Sequence, residues 1–133
     1  MEDIEVVGAA IRDGGRILAA QRSPVMSSAL KWEFVGGKVE VNETHRQALR
    51  REVFEELGVR IKVNRYIASG TSTVEGKKIR LHVYEAEIIE GTPQAREHSQ
   101  IQWINIKDME KLDWADADIP ASKRLQELYG HGK

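Results

Sequence analysis

The sequence predicts an α+β domain arranged as an α/β/α sandwich around a mixed β-sheet. Three observations carry that expectation: apolar, β-rich segments bounded by turn residues, one long central stretch with helical periodicity, and a second helical stretch near the C-terminal end. With 133 residues the chain has the length of one domain, taken as residues 1–133, and can bury a core without cross-links. It has no Cys, which excludes a disulfide framework, a thiolate nucleophile and a Cys-ligated metal, and is compatible with a cytoplasmic location. The 20 Lys+Arg nearly balance 21 Asp+Glu, so adhesion to a nucleic-acid polymer or a membrane surface has no electrostatic support. No apolar run approaches the ~20 residues of a spanning helix, and Met1-Glu2-Asp3 lacks the basic character of a secretory signal. A small-molecule ligand is the expectation.

The elements follow in order. Ile4 to Ile11 is apolar and β-rich, Asp13-Gly14-Gly15 supplies a tight turn, and Arg16 to Gln21 returns as the second strand of a hairpin. Ser23 to Leu30, with Pro24, Ser27 and Ser28, reads as a loop. Trp32-Glu33-Phe34 alternates in type and forms a short strand entering Gly36-Gly37. From Glu43 to Leu57 the pattern is helical: Ala48, Leu49, Val53 and Leu57 share one face, Asn42 or Thr44 caps the start, and Gly58 suits the position after the end. Strand character resumes at Val59. Tyr66–Val74 and Lys78–Ile89 flank Glu75-Gly76-Lys77 as a long hairpin, Ile101–Ile106 is a further strand, and Ala121–Tyr129 is a terminal helix after Pro120.

The central helix carries the chemistry. Glu52, Glu55 and Glu56 stand at i, i+3 and i+4 and therefore project from one face. At ~100° per residue, Glu55 lies about −60° and Glu56 about +40° from Glu52, so the acidic patch borders the apolar stripe. Carboxylates crowded beside a core repel one another, and a hard divalent cation relieves them. Mg²⁺ or Mn²⁺ is the expected cofactor, able to bind phosphates, polarise them and activate water. Arg51 reaches Glu55 at i+4 and steadies it, while Gly36 and Gly37 allow close backbone approach.

The whole segment fits G-x5-E-x7-R-E-U-x-E-E-x-G-U, with U aliphatic, at Gly37, Glu43, Arg51, Glu52, Val53, Glu55, Glu56, Gly58 and Val59. At ordinary residue frequencies, chance agreement in a chain this short is on the order of 10⁻⁷ or less. This pattern resembles the signature of the Nudix hydrolases. The likeness covers nearly the whole chain and looks like the MutT-type branch. Trp32 to Glu40 and Ala117-Asp118-Ile119-Pro120 are most similar to bacterial CTP pyrophosphohydrolases.

The resemblance implies a Nudix fold and a metal held by Glu52, Glu55, Glu56 and the Gly36 carbonyl. Glu43 is then an outer support, and Arg51 orients the carboxylates. Glu97, before the Ile101 strand, is the candidate for a further metal ligand or water-activating base; His98 beside it is expected to be structural or solvated. Lys38 lies near the phosphates. Arg22 either contacts the polyphosphate or is a solvated surface residue. Asp118 either reads the base edge or caps the last helix, and Phe34 lines the base pocket or belongs to the core. Trp103 and Trp114 are expected in the core. The implied reaction converts a nucleoside triphosphate to the monophosphate and pyrophosphate, with cytosine nucleotides favoured. The alternatives are an 8-oxo-dGTP diphosphatase and a non-catalytic nucleotide-binding module. Homodimers are common among such relatives.

Overall fold

A computed structural model describes residues 3–26 and 28–130, so Met1, Glu2, Ser27 of the expected loop, and 131–133 lie outside the described residues. The strands are β1 (Asp3–Asp13), β2 (Arg16–Gln21), β3 (Trp32–Glu33), β4 (Val35–Lys38), β5 (Arg60–Val74), β6 (Lys77–Glu90) and β7 (Gln100–Asn105); the helices are α1 (His45–Leu57) and α2 (Ile119–Tyr129). Two 3₁₀ turns, Ile106–Lys111 and Asp116–Asp118, join β7 to α2.

The sheet runs β3-β2-β1-β6-β5, with β4 added to β1 and β7 to β2. Among the described strands β1 and β6 form the one parallel pair, from Asp3↔Lys78 to Ile11↔Ala86. The β1–β2 hairpin closes as expected at Asp13↔Arg16, but its pairing ends at Arg12↔Ile17. Beyond that point the strands diverge. β2 pairs with β3 and β7, while β1 takes β4 through Val6↔Lys38 to Ala9↔Val35. Residues 32–38 therefore cross from one strand of the fork to the other, and Phe34 is the crossing point.

Alternation along the strands divides the core. Val7, Ala9, Ile11, Leu18 and Ala20 face α1, packing with Ala48, Leu49, Val53 and Leu57. Ala10, Ile17, Ala19 and Val83 face the opposite way, against Ala121 and Leu125 of α2. This is the α/β/α sandwich that the periodicities predicted. Trp114 belongs to the second core, whereas Trp103 is only partly buried against the first.

The crossing segment needs its glycines. A Cβ on Gly36 would lie 1.8 Å from the Val7 carbonyl oxygen, and one on Gly37 would lie 2.3 Å from the Glu52 carboxyl carbon. A side chain at Gly36 displaces the β1 backbone, and one at Gly37 pushes the Glu52 carboxylate out of its place. Gly36→Ala is expected to destabilise the protein by about 3 kcal/mol or more, whereas Gly15→Ala, whose Cβ meets nothing within 4 Å, should change stability by less than about 1 kcal/mol; urea unfolding of both variants checks the contrast.

Candidate active site

Helix α1 is defined at both ends. The Thr44 hydroxyl accepts from the Gln47 N–H (3.1 Å) and the Gln47 side chain accepts from the Thr44 N–H (2.9 Å), a reciprocal capping box that selects Thr44 over Asn42. Gly58 closes the helix with φ 75° and donates its N–H to the Phe54 carbonyl. Its buried residues are the four that the periodicity singled out. The three carboxylates share the adjoining face but not one environment: the Glu52 and Glu56 side chains are 18% and 13% exposed, and Glu55 is 58% exposed.

Arg51 makes the expected ion pairs with the helix carboxylates and one stronger contact besides. Its principal partner is Glu43, gripped by Nε at 2.7 Å and by a terminal nitrogen at 2.9 Å, with a further bond to Glu52 at 3.0 Å. Glu55 is more distant, at 3.5 Å. The preference follows from the 40–44 turn, which folds Glu43 back under α1, where it also accepts from the Glu40 N–H. The Arg51 hydrogen bonds, with that N–H, lower the Glu43 pKa to about 2. Arg51 also donates to the Lys38 carbonyl, tying the helix to the end of β4; the Lys38 side chain is exposed.

On the opposite side of Glu52 the balance is reversed. Burial, followed by repulsion from Glu52, Glu33 and Glu97, raises the Glu56 pKa to about 8. Glu33 is a site residue that motif reasoning missed. Its signal was the alternation in Trp32-Glu33-Phe34: the two aromatics face the second core, so Glu33 must face α1. Its carboxylate is held by Arg22 at 2.5 Å and by His98 Nε2 at 2.8 Å. The His98 side chain is 1% exposed, which excludes a solvated role, and its buried Nδ1 lacks a hydrogen-bond partner among the described residues, standing 3.7 Å from Glu56 Oε1. The loop bearing Glu97 and His98 is anchored by Arg96, which donates to the Glu55 carbonyl at 3.0 Å. Glu97 is exposed yet close enough to Glu56 to perturb it.

A cavity of about 310 Å³ begins at Gly36, Gly37 and Glu33 and extends to Phe34, Leu81 and Asp118, with Arg22 on its wall. Phe34 stacks on Trp114 at 4.8 Å between ring centroids. Asp118 makes no side-chain cap to α2; its Oδ2 instead accepts the Phe34 N–H at 2.9 Å, satisfying a backbone donor where the chain leaves one strand for the other. Burial pushes the Asp118 carboxyl well above the usual carboxylate range, against the opposing effect of that N–H. A neutral carboxyl keeps one acceptor on Phe34 and can present a donor as well as an acceptor to the cavity.

The residues fit a divalent cation: neighbouring carboxylate oxygens, a half-buried Glu56 crowded by Glu52, Glu33 and Glu97, and a glycine backbone against Glu52. A NUDIX domain model matches residues 3–125. The chain belongs to the Nudix family. CTP pyrophosphohydrolase of Escherichia coli (strain K12) is 45% identical over 128 residues, spanning 96% of this chain and 95% of that protein. The putative 8-oxo-dGTP diphosphatase 2 of Mycobacterium tuberculosis (strain H37Rv) is 36% identical over 126 residues, 89% of this chain and 84% of that one. Among solved structures, the E. coli ORF135 protein has a TM-score of 0.83 at 42% identity, covering 96% of this chain and 91% of that one. The chain is thus a Nudix hydrolase, of a family that uses divalent metal cations and acts on nucleotides. No helix among the described residues is long and apolar enough to cross a membrane.

The displaced Glu56 pKa makes a prediction for this Nudix site. The folded protein binds the Glu56 proton more tightly than the unfolded chain, so the group's stabilisation is complete below about pH 4.5 and is lost as pH rises through about 8. Without metal, wild-type stability should fall over that window by on the order of 2 kcal/mol relative to Glu56→Gln, a value reduced by partial solvent access. Apparent Mg²⁺ affinity should rise over the same window in the wild type and stay flat in the variant. Urea titrations and calorimetry at several pH values measure both.

Proposed function

We propose that this hydrolase converts a (deoxy)nucleoside triphosphate and water to the monophosphate and pyrophosphate, favouring CTP, dCTP and modified pyrimidine nucleotides, in the cytoplasm. The observation that carries the reading is the cavity that leads from the glycine backbone beside the carboxylates to Phe34 and the buried Asp118. The identity to the E. coli CTP pyrophosphohydrolase supports the cytosine preference.

Glu52, Glu55, Glu56, Glu97 and the Gly36 carbonyl would hold Mg²⁺, with Mn²⁺ as a substitute. When bound, the ion supplies charge neutralisation and polarisation to the phosphates. Glu97, exposed at the edge of the cluster, serves either in that ligand set or as the base that takes the proton of the attacking water. Arg51 and Glu43 position the helix carboxylates, Arg22 and Lys38 bind the polyphosphate, and Gly37 leaves room for Glu52. Phe34, backed by Trp114, packs on the base, and Asp118 reads its hydrogen-bonding edge, where the cytosine amino group is a matching donor.

An 8-oxo-dGTP diphosphatase is the second reading. It is favoured by the relative from M. tuberculosis and by the ability of Asp118 to pair with guanine's N–H groups.

A steady-state panel of CTP, dCTP, 5-methyl-dCTP, 8-oxo-dGTP and the ordinary dNTPs separates the two. A lead of more than about ten-fold in kcat/KM for 8-oxo-dGTP would overturn the cytosine preference. Binding without release of pyrophosphate would indicate a non-catalytic module. Glu56→Gln is expected to lower kcat by about 100-fold or more while the fold persists, and near-wild-type turnover would contradict its assignment. Asp118→Asn should change the ranking among bases more than the overall rate, read from the same panel.

A further inference from the structure

A second group of metal-ligating side chains, sharing no residue with the box carboxylates, lies on the α1 face of the sheet. Glu5 of β1, His45 at the start of α1 and His82 of β6 each place one ligand atom within 4.8 Å of the other two. The Glu5 carboxylate lies 2.7 Å from His82 Nε2, and the two imidazole centroids are 4.8 Å apart. We propose that Glu5, His45 and His82 form a binding site for a borderline divalent transition-metal ion of the Zn²⁺ class.

Two independent features support the site. Each imidazole has its Nδ1 beside a tyrosine hydroxyl: Tyr84 at 2.9 Å from His45, and Tyr66 at 3.4 Å from His82. That arrangement fixes the orientation of both rings through Nδ1, as hydrogen bonding to the remote nitrogen does in metal centres, and a bound ion would take the place of the His82 Nε2–Glu5 hydrogen bond. Burial and the neighbouring His82 also lower the His45 pKa, so its ring remains neutral and able to coordinate. Tetrahedral Zn²⁺ needs its ligand atoms about 3.3 Å apart, so the Glu5 oxygen backs off from His82 Nε2, now 2.7 Å away, and the His45 ring turns in toward the pair. Arg80 is the competing cation, 3.8 Å from Glu5, but its shorter contact, 2.9 Å, is with Asp3.

The donor chemistry separates this site from the catalytic one. Two nitrogens and one oxygen suit Zn²⁺, whereas the all-oxygen box suits Mg²⁺. Three protein ligands leave a fourth position for water. Because the ligands come from β1, β6 and the first residue of α1, an ion here clamps the helix start to the sheet.

Zn²⁺ and Co²⁺ titrations of the full chain, made in excess Mg²⁺ to fill the box, test the proposal. The expected result is one equivalent bound with a rise in Tm, and for Co²⁺ the intense visible absorption of a tetrahedral complex. His82→Gln and His45→Gln should weaken binding by about 100-fold and abolish that absorption. Glu5→Gln, a change at an exposed strand position, should weaken it by at least about ten-fold and guards against misfolding of the histidine variants. Glu56→Gln should leave Zn²⁺ affinity unchanged. Undiminished affinity in the Glu5 and histidine variants, or loss confined to Glu56→Gln, would overturn the site.

Discussion

Two adjacent glycines let a β-strand lie against a neighbouring strand on one side and a helix carboxylate on the other. Gly36 lies so close to the Val7 carbonyl, and Gly37 to the Glu52 carboxyl, that neither position has room for a Cβ. The remaining geometry follows from that close approach. Glu52 is drawn against bare backbone, Glu56 is carried one helical step further toward the core, and Arg51 is left on the flank, where it grips Glu43 and the Lys38 carbonyl. Catalytic precision here depends on main chain, which is less mobile than side chains.

Charge is distributed unevenly around this contact. One flank is neutralised: Arg51 serves Glu43 and Glu52, and Glu43 remains ionised to about pH 2. The other flank gathers Glu33, Glu56 and Glu97, with Arg22 and His98 both directed to Glu33. Glu56 therefore keeps its proton near neutral pH beside Glu33 and Glu97, and a cation escorting a polyphosphate would displace it. The protein maintains this unfavourable cluster because α1 is secured elsewhere, by its buried stripe, its capping box and Gly58.

Much of this was legible in the sequence because it is periodic or local. Ala48, Leu49, Val53 and Leu57 repeat at helical spacing, and the box residues recur at fixed intervals on the same helix. What was not legible depends on partners far apart in the chain. The bond from Phe34 N–H to Asp118 joins residues 84 apart, so an acidic residue before a proline looked equally like a helix cap. Glu33 and His98 meet across 65 residues, and β3 is only two residues long, too short to display a pattern by itself. The expected Arg51–Glu55 pair obeyed helix spacing, but a turn outside the helix delivered a better partner in Glu43. The two 3₁₀ turns after β7 have no periodicity to detect.

The parallel pairing of β1 with β6 has a kinetic consequence. Asp3 pairs with Lys78, so the first strand of the chain must await a segment synthesised much later. The β5–β6 hairpin, by contrast, closes locally through Val74↔Lys77 and can assemble early. Loop-closure entropy makes the long-range step the slow one. Until it occurs, β1 offers an unpaired edge rich in Val, Ala and Ile, and the nascent chain is most vulnerable to self-association in that interval.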